Sequence, residues 1–138
     1  MRISWDEEAL AALDRALQFQ PFFSLCHLNR GVELALLGRY EEAIKAYDMA
    51  LSLDSSNKDA YYDKGLALAQ LGCHEEAIDA YNRALSLDPQ AASASYAKGN
   101  SLAALGRYKE ALVVCEDALR LNPDDERFLD QKSKLLAE

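Results

Sequence analysis

The side chains best suited to chemistry are few: Cys26, Cys73, Cys115, His27 and His74. Cys73-His74-Glu75-Glu76 sets four potential metal donors in a row. Adjacent residues at the start of a helix point apart, and a zinc site usually shows spaced Cys and His pairs, so no metal is expected there. No glycine-rich phosphate loop and no nucleophile motif is present. Two histidines offer little for acid–base work. The chain is therefore expected to be no enzyme and to carry no cofactor. Three cysteines without a local pairing pattern suit reduced thiols and an intracellular, cytoplasmic setting. Cys73 is expected to be the most exposed thiol and Cys115 the most buried.

Charge gives a second set of candidates. Arg30, Lys64 and Lys98 recur every 34 residues. Such a ladder could hold an anion, but the stems more often pack while the heads reach solvent or a carboxylate. Glu41-Glu42, Glu75-Glu76 and Glu110 recur as well, and their place at helix starts suits the helix dipole without any further role. Asp and Glu outnumber Lys and Arg by 23 to 15, a formal charge of −8. That balance disfavours nucleic acid, which needs clustered basic groups. No apolar run approaches the ~18 residues of a membrane span, so no membrane insertion is expected. Half of the chain is apolar and 28% is charged, which suits one folded domain over residues 1–138.

The elements that carry these residues follow from a period. Gly31, Gly65 and Gly99 stand 34 apart, as do Gly38, Gly72 and Gly106, Ala43, Ala77 and Ala111, and Ala50, Ala84 and Ala118. Three whole units run 24–57, 58–91 and 92–125. Apolar residues recur at three- and four-residue spacing, as in Ala77, Ile78, Tyr81, Ala84 and Leu85, so each unit reads as two helices. The spacing predicts first helices over 24–37, 58–71 and 92–105, and second helices over 40–53, 74–87 and 108–121. Gly38, Gly72 and Gly106 are expected to close the first helices in left-handed geometry. Asp88-Pro89 and Asn122-Pro123 are expected to end one helix and cap the next. Gly65 should face the second helix of its own unit, with Tyr81 as the bulky knob, Ala77 filling the gap and Ala84 meeting the next unit.

These residues resemble the tetratricopeptide repeat family. Its pattern is met in the second unit by Tyr61, Gly65, Leu68, Ala77, Tyr81, Ala84 and Pro89. The third unit supplies Ser95, Gly99, Leu102, Ala111, Cys115, Ala118 and Pro123, and the first His27, Gly31, Leu34, Ala43, Tyr47, Ala50 and Ser55. The departures are His27, Ser55, Ser95 and Cys115. The resemblance implies an all-α fold: a right-handed superhelix, or solenoid, of antiparallel helix pairs, with about eight helices. Residues 1–23 match the second half of a unit through Ala9, Leu13, Ala16 and Pro21, and 126–138 read as a polar closing helix. The half-unit is read as the start of a fragment of a longer array; a short protein that begins there is the alternative. Its edge, with Leu10, Leu13, Leu17 and Phe19, offers a surface for self-association. Full packing of this helix on residues 24–37, leaving a monomer, is the other reading.

By resemblance, the first helices line a concave groove that binds a peptide or helix of a partner protein. The groove positions carry Leu25, Leu28, Asn29, Val32, Ala35 and Leu36 in the first unit and Asp59, Tyr62, Asp63, Leu66, Ala69 and Gln70 in the second. In the third they carry Ser93, Tyr96, Ala97, Asn100, Ala103 and Ala104. Tyr62 and Tyr96 are candidate anchors, with partly buried packing residues as the alternative. One subclass of the family grips chaperone C-terminal carboxylates with Lys, Arg and Asn. The matching residues here are Leu28, Val32, Asp63, Ser93 and Ala97, none basic, so that ligand is not expected. An apolar helix or extended segment with some basic residues fits better, Asp59 and Asp63 being its charge contacts. The expected role is a protein-interaction scaffold, such as a co-chaperone-like protein. The alternatives are a regulatory or targeting domain of a larger enzyme and a self-associating unit.

Overall fold

The computed structural model describes residues 4–19 and 23–138, the side chains of Leu17 and Phe19 excepted. Among these are eight helices: α1 (Trp5–Phe19), α2 (Ser24–Leu36), α3 (Tyr40–Leu53), α4 (Lys58–Gln70), α5 (His74–Leu87), α6 (Ala92–Ala104), α7 (Tyr108–Leu121) and α8 (Glu126–Leu136). The chain is all-α and forms a solenoid. Among the described residues each helix packs on its neighbours in sequence, and beyond that only α2 on α4, α4 on α6 and α6 on α8. The even helices therefore converge on one side, and the odd helices stay apart on the other. A stack whose inner row is closer than its outer row must curve, with α2, α4, α6 and α8 inside.

Local sequence explains the breaks. Gly38, Gly72 and Gly106 take φ of +77°, +79° and +77°, a region that side chains avoid. The turn after α2 shows the consequence: Gly38 N donates to Ala35 O and Arg39 N to Leu34 O, both at 2.9 Å, closing the helix. The ends of the second helices differ from expectation. Asp88 and Asn122 are extended residues that terminate α5 and α7, and they do not cap the next helix. Asp88 Oδ1 instead accepts from Gln90 N at 3.1 Å, so Pro89 sits in a connecting turn ahead of the first turn of α6. Where one of these following helices has a side-chain cap, it lies three residues later in register: Asn57 Oδ1 accepts from Asp59 N and Ala60 N, and Asp125 Oδ1 from Arg127 N.

The core alternates small and large residues. Ala43, Ala77 and Ala111 are fully buried, as are Tyr47 and Tyr81 within 2%. A β-carbon on Gly31 would meet the Tyr47 ring at 2.5 Å, and one on Gly65 would lie 2.7 Å from Tyr81 Cδ1. Glycine thus lets each tyrosine lie across the facing helix. The ladder of basic residues is tied down in two units: Arg30 Nε meets Asp14 at 2.6 Å and Lys64 Nζ meets Asp48 at 2.7 Å. The same register brings Asn82 to Lys98 in the third unit, and no ion pair forms among the described residues. At the leading edge, Leu10 is buried and Leu13 partly buried. The side chains of Leu17 and Phe19, and Pro21 as a whole, lie outside the described part.

Candidate partner-binding groove

The inner face is built by α2, α4 and α6, with α8 in the place a further first helix would take. Of the residues assigned to it, Leu25 (51% exposed) and Leu66 (38%) are open, and Asn29, Asp59 and Asn100 are exposed. Val32, Tyr62, Asp63 and Tyr96 are partly buried. Leu28, only 8% exposed, is closed into the core with Leu10 and Leu34 and presents little surface to a partner.

Two hollows gather most of the rest. The first, about 240 Å³, lies between α2 and α4 and brings Val32, Asp63 and Leu66 together with Leu36, Tyr40 and Gln70, over Tyr47. The second, about 150 Å³, lies between α6 and α8 and joins Tyr96 and Asn100 to Tyr108, Gln131 and Lys134. Tyr62 sits apart from both, its ring 6.1 Å from that of Tyr81 and its hydroxyl paired with Ser93. Tyr96 meets the edge of Phe128 at 5.8 Å, with the Arg127 guanidinium 5.9 Å from its ring centre. The two tyrosines thus combine packing with a surface-facing part.

Sequence reasoning passed over Tyr40, Tyr108 and the α8 residues. The period held a signal for the last group: carried one unit further, it sets Asp130, Gln131 and Lys134 on the same register as Leu28, Asn29 and Val32. For Tyr40 and Tyr108 the signal was weaker, since they open second helices and His74 stands between them in register.

Electrostatics single out Asp63. Burial, and then the Asp59 carboxylate, push its carboxyl up to about 6. Burial, and then Asp63, raise the Tyr62 phenol as well. The thiols and histidines form no comparable centre. His74 Nδ1 lies 3.3 Å from Ser101 Oγ, while Glu75 and Glu76 face solvent. Cys115 is fully buried and donates to Phe128 O at 3.0 Å; Cys26 and Cys73 are both partly buried. Among the described residues no group of three potential ligands could hold a metal, and no helix is long and apolar enough to cross a membrane.

Comparison with known proteins gives a consistent picture. The sequence matches the tetratricopeptide repeat family over residues 7–60, 28–92 and 62–126. No curated protein matches it. The crystal structure of MamA is similar at 21% identity over 99% of this chain and 85% of that one, with a TM-score of 0.88. YrrB, described as a TPR protein with an unusual peptide-binding site, is similar at 29% identity over 94% of this chain and 66% of that one, TM-score 0.80. The second TPR domain of human RPAP3, solved with the HSP70 peptide SGPTIEEVD, is similar at 26% identity over 81% of this chain and 93% of that one, TM-score 0.76.

Proposed function

The chain belongs to the tetratricopeptide repeat family, and from that premise we propose that it is a non-catalytic scaffold whose concave groove holds a segment of another protein. The observation that carries this reading is the hollow between α2 and α4, where exposed apolar side chains and one carboxylate face the inner side together. Similar proteins support the class of ligand: the RPAP3 domain was solved with a peptide, and YrrB is described by its peptide-binding site.

The RPAP3 peptide ends in Glu-Glu-Val-Asp, an acidic tail. This chain has no basic residue among Leu28, Val32, Asp63, Ser93 and Ala97, and Asp63 would repel such a tail. The preferred partner is therefore an apolar helix or extended segment that carries some basic residues. A cytoplasmic scaffold of this kind fits the three unpaired cysteines. Affinity capture with mass spectrometry would supply partners. Tyr62→Ala combined with Tyr96→Ala should abolish capture while helical circular dichroism is retained. Undiminished capture by that double variant would exclude both tyrosines as anchors, and undiminished capture by Leu66→Asp as well would exclude the hollow between α2 and α4.

A second reading is self-association at the leading edge, favoured by the exposed Trp5 (87%) at one end of the α1–α2 pair and by Phe23 (48%) and Leu25 at the other. Light scattering across concentrations decides it: a constant monomer mass excludes this reading.

A further inference from the structure

The hollow between α2 and α4 has an uneven chemistry. α2 contributes Val32, Ala35 and Leu36, and α4 contributes Leu66; these are apolar walls. Asp63 is the one ionisable carboxyl among them. It forms no ion pair and accepts no hydrogen bond among the described residues. Asp14, Asp48 and Asp88 differ, each holding a cation within 2.7 Å. Beyond burial, Asp59 on its own helix raises the Asp63 carboxyl, and Asp63 in turn raises the phenols of Tyr47 on α3 and Tyr62 on α4. Tyr40 is the other titratable group that lines the hollow, and the α2 residues that line it carry no charge. An unpaired carboxylate in such a place lowers stability unless something meets it. Sites of this kind concentrate where a ligand supplies the missing charge.

We propose that this hollow is a cation pocket, which takes a single lysine or arginine side chain of the bound partner. The alkyl stem lies along Leu36 and Leu66, and the charged head meets the Asp63 carboxylate. The volume of about 240 Å³ accommodates one such side chain. The pocket rests on the groove reading and deepens it, because it fixes which residue the partner must present. It also selects against alternatives: an acidic side chain meets like charge, and a purely apolar one leaves the carboxylate buried and unpaired.

Binding of the cation requires ionised Asp63, so it is linked to a proton. Below the free-state value near 6 the carboxyl holds its proton, and binding must displace it. Affinity is therefore full at pH 7.5 and falls about tenfold by pH 5.

The test is selection from a phage library of random peptides on the whole chain and, in parallel, on Asp63→Asn, with circular dichroism confirming that both fold. The wild type should enrich peptides with Lys or Arg fixed at one position between apolar residues. Asp63→Asn should keep the apolar preference and lose the basic one. A selected peptide without histidine should bind about tenfold to a hundredfold more weakly when its basic residue is replaced by methionine. That peptide should show the pH dependence on the wild type alone. Enrichment without a basic position, or a basic preference that Asp63→Asn retains, overturns the pocket and leaves the groove reading intact. Enrichment of no peptide on either protein overturns both.

Discussion

A β-carbon on Gly99 would lie 2.8 Å from Nε2 of Gln131, a side chain that comes from α8. In the two preceding units the same space is filled from within, by Tyr47 over Gly31 and Tyr81 over Gly65. The third unit has Cys115 in that register, too short to reach across. Gln131 closes the gap and donates to Tyr96 O at 3.1 Å and Asn100 Oδ1 at 3.0 Å. The closing helix is thereby fastened to the inner face as well as to α7.

This difference separates two otherwise equal glycine substitutions. At Gly65 the obstacle is the rigid edge of a buried ring, so Gly65→Ala should cost about 1–3 kcal/mol by overpacking. At Gly99 the obstacle is the end of a flexible amide, and alanine is the better helix former by about 0.5–1 kcal/mol. Moving that amide strains its bonds to Tyr96 O and Asn100 Oδ1, so Gly99→Ala should cost less than Gly65→Ala rather than nothing. Urea unfolding of the two variants checks the order, and equal losses would contradict it.

Asp63→Asn should stabilise the protein at neutral pH. Its carboxyl is raised in the folded state, so folding favours the protonated form. The wild type thus keeps its stability below the unfolded value of about 4 and loses some of it as pH rises through about 6. Asparagine removes that loss. The expected gain is about 1 kcal/mol at pH 7, discounted for the partial exposure of the group, and close to nothing at pH 4. Thermal unfolding at both pH values measures it; a gain of equal size at pH 4 would point to a cause other than the charge.

The broken rung of the basic ladder can be repaired. Asn82→Asp places a carboxylate opposite Lys98 as Asp14 and Asp48 stand opposite Arg30 and Lys64. A partly exposed pair contributes little, so the expected gain is about 0.5 kcal/mol, lost in high salt. Denaturant titration at low and high salt reads both features.

The helix boundaries were open to sequence reading because the period repeats glycine at both the close approach and the turn. The first helices of α2, α4 and α6 end one residue before the predicted limit, where the glycine turn tightens the last carbonyls. The place of Pro89 was not legible, since a proline tolerates both a first helical turn and a preceding loop, and the Asp88 side chain decides between them. Cys115 announced that a knob was missing. Its replacement was hidden, because Gln131 arrives from a different helix. Val32, Asp63 and Leu66 could be set on one stripe by spacing. The solitude of Asp63 depends on how α2 approaches α4, which spacing does not encode. Leu28 shared the stripe but is drawn into the core by Leu10 of α1.

The central claim is that the inner face of the even helices holds a segment of a partner. Backbone amide NMR of the labelled chain, titrated with a peptide selected or captured on it, tests this most directly. The largest shifts are expected at Val32, Asp63, Leu66, Tyr96 and Asn100, with α3, α5 and α7 little changed. Shifts concentrated on those outer helices or on the leading edge around Trp5 would contradict that claim.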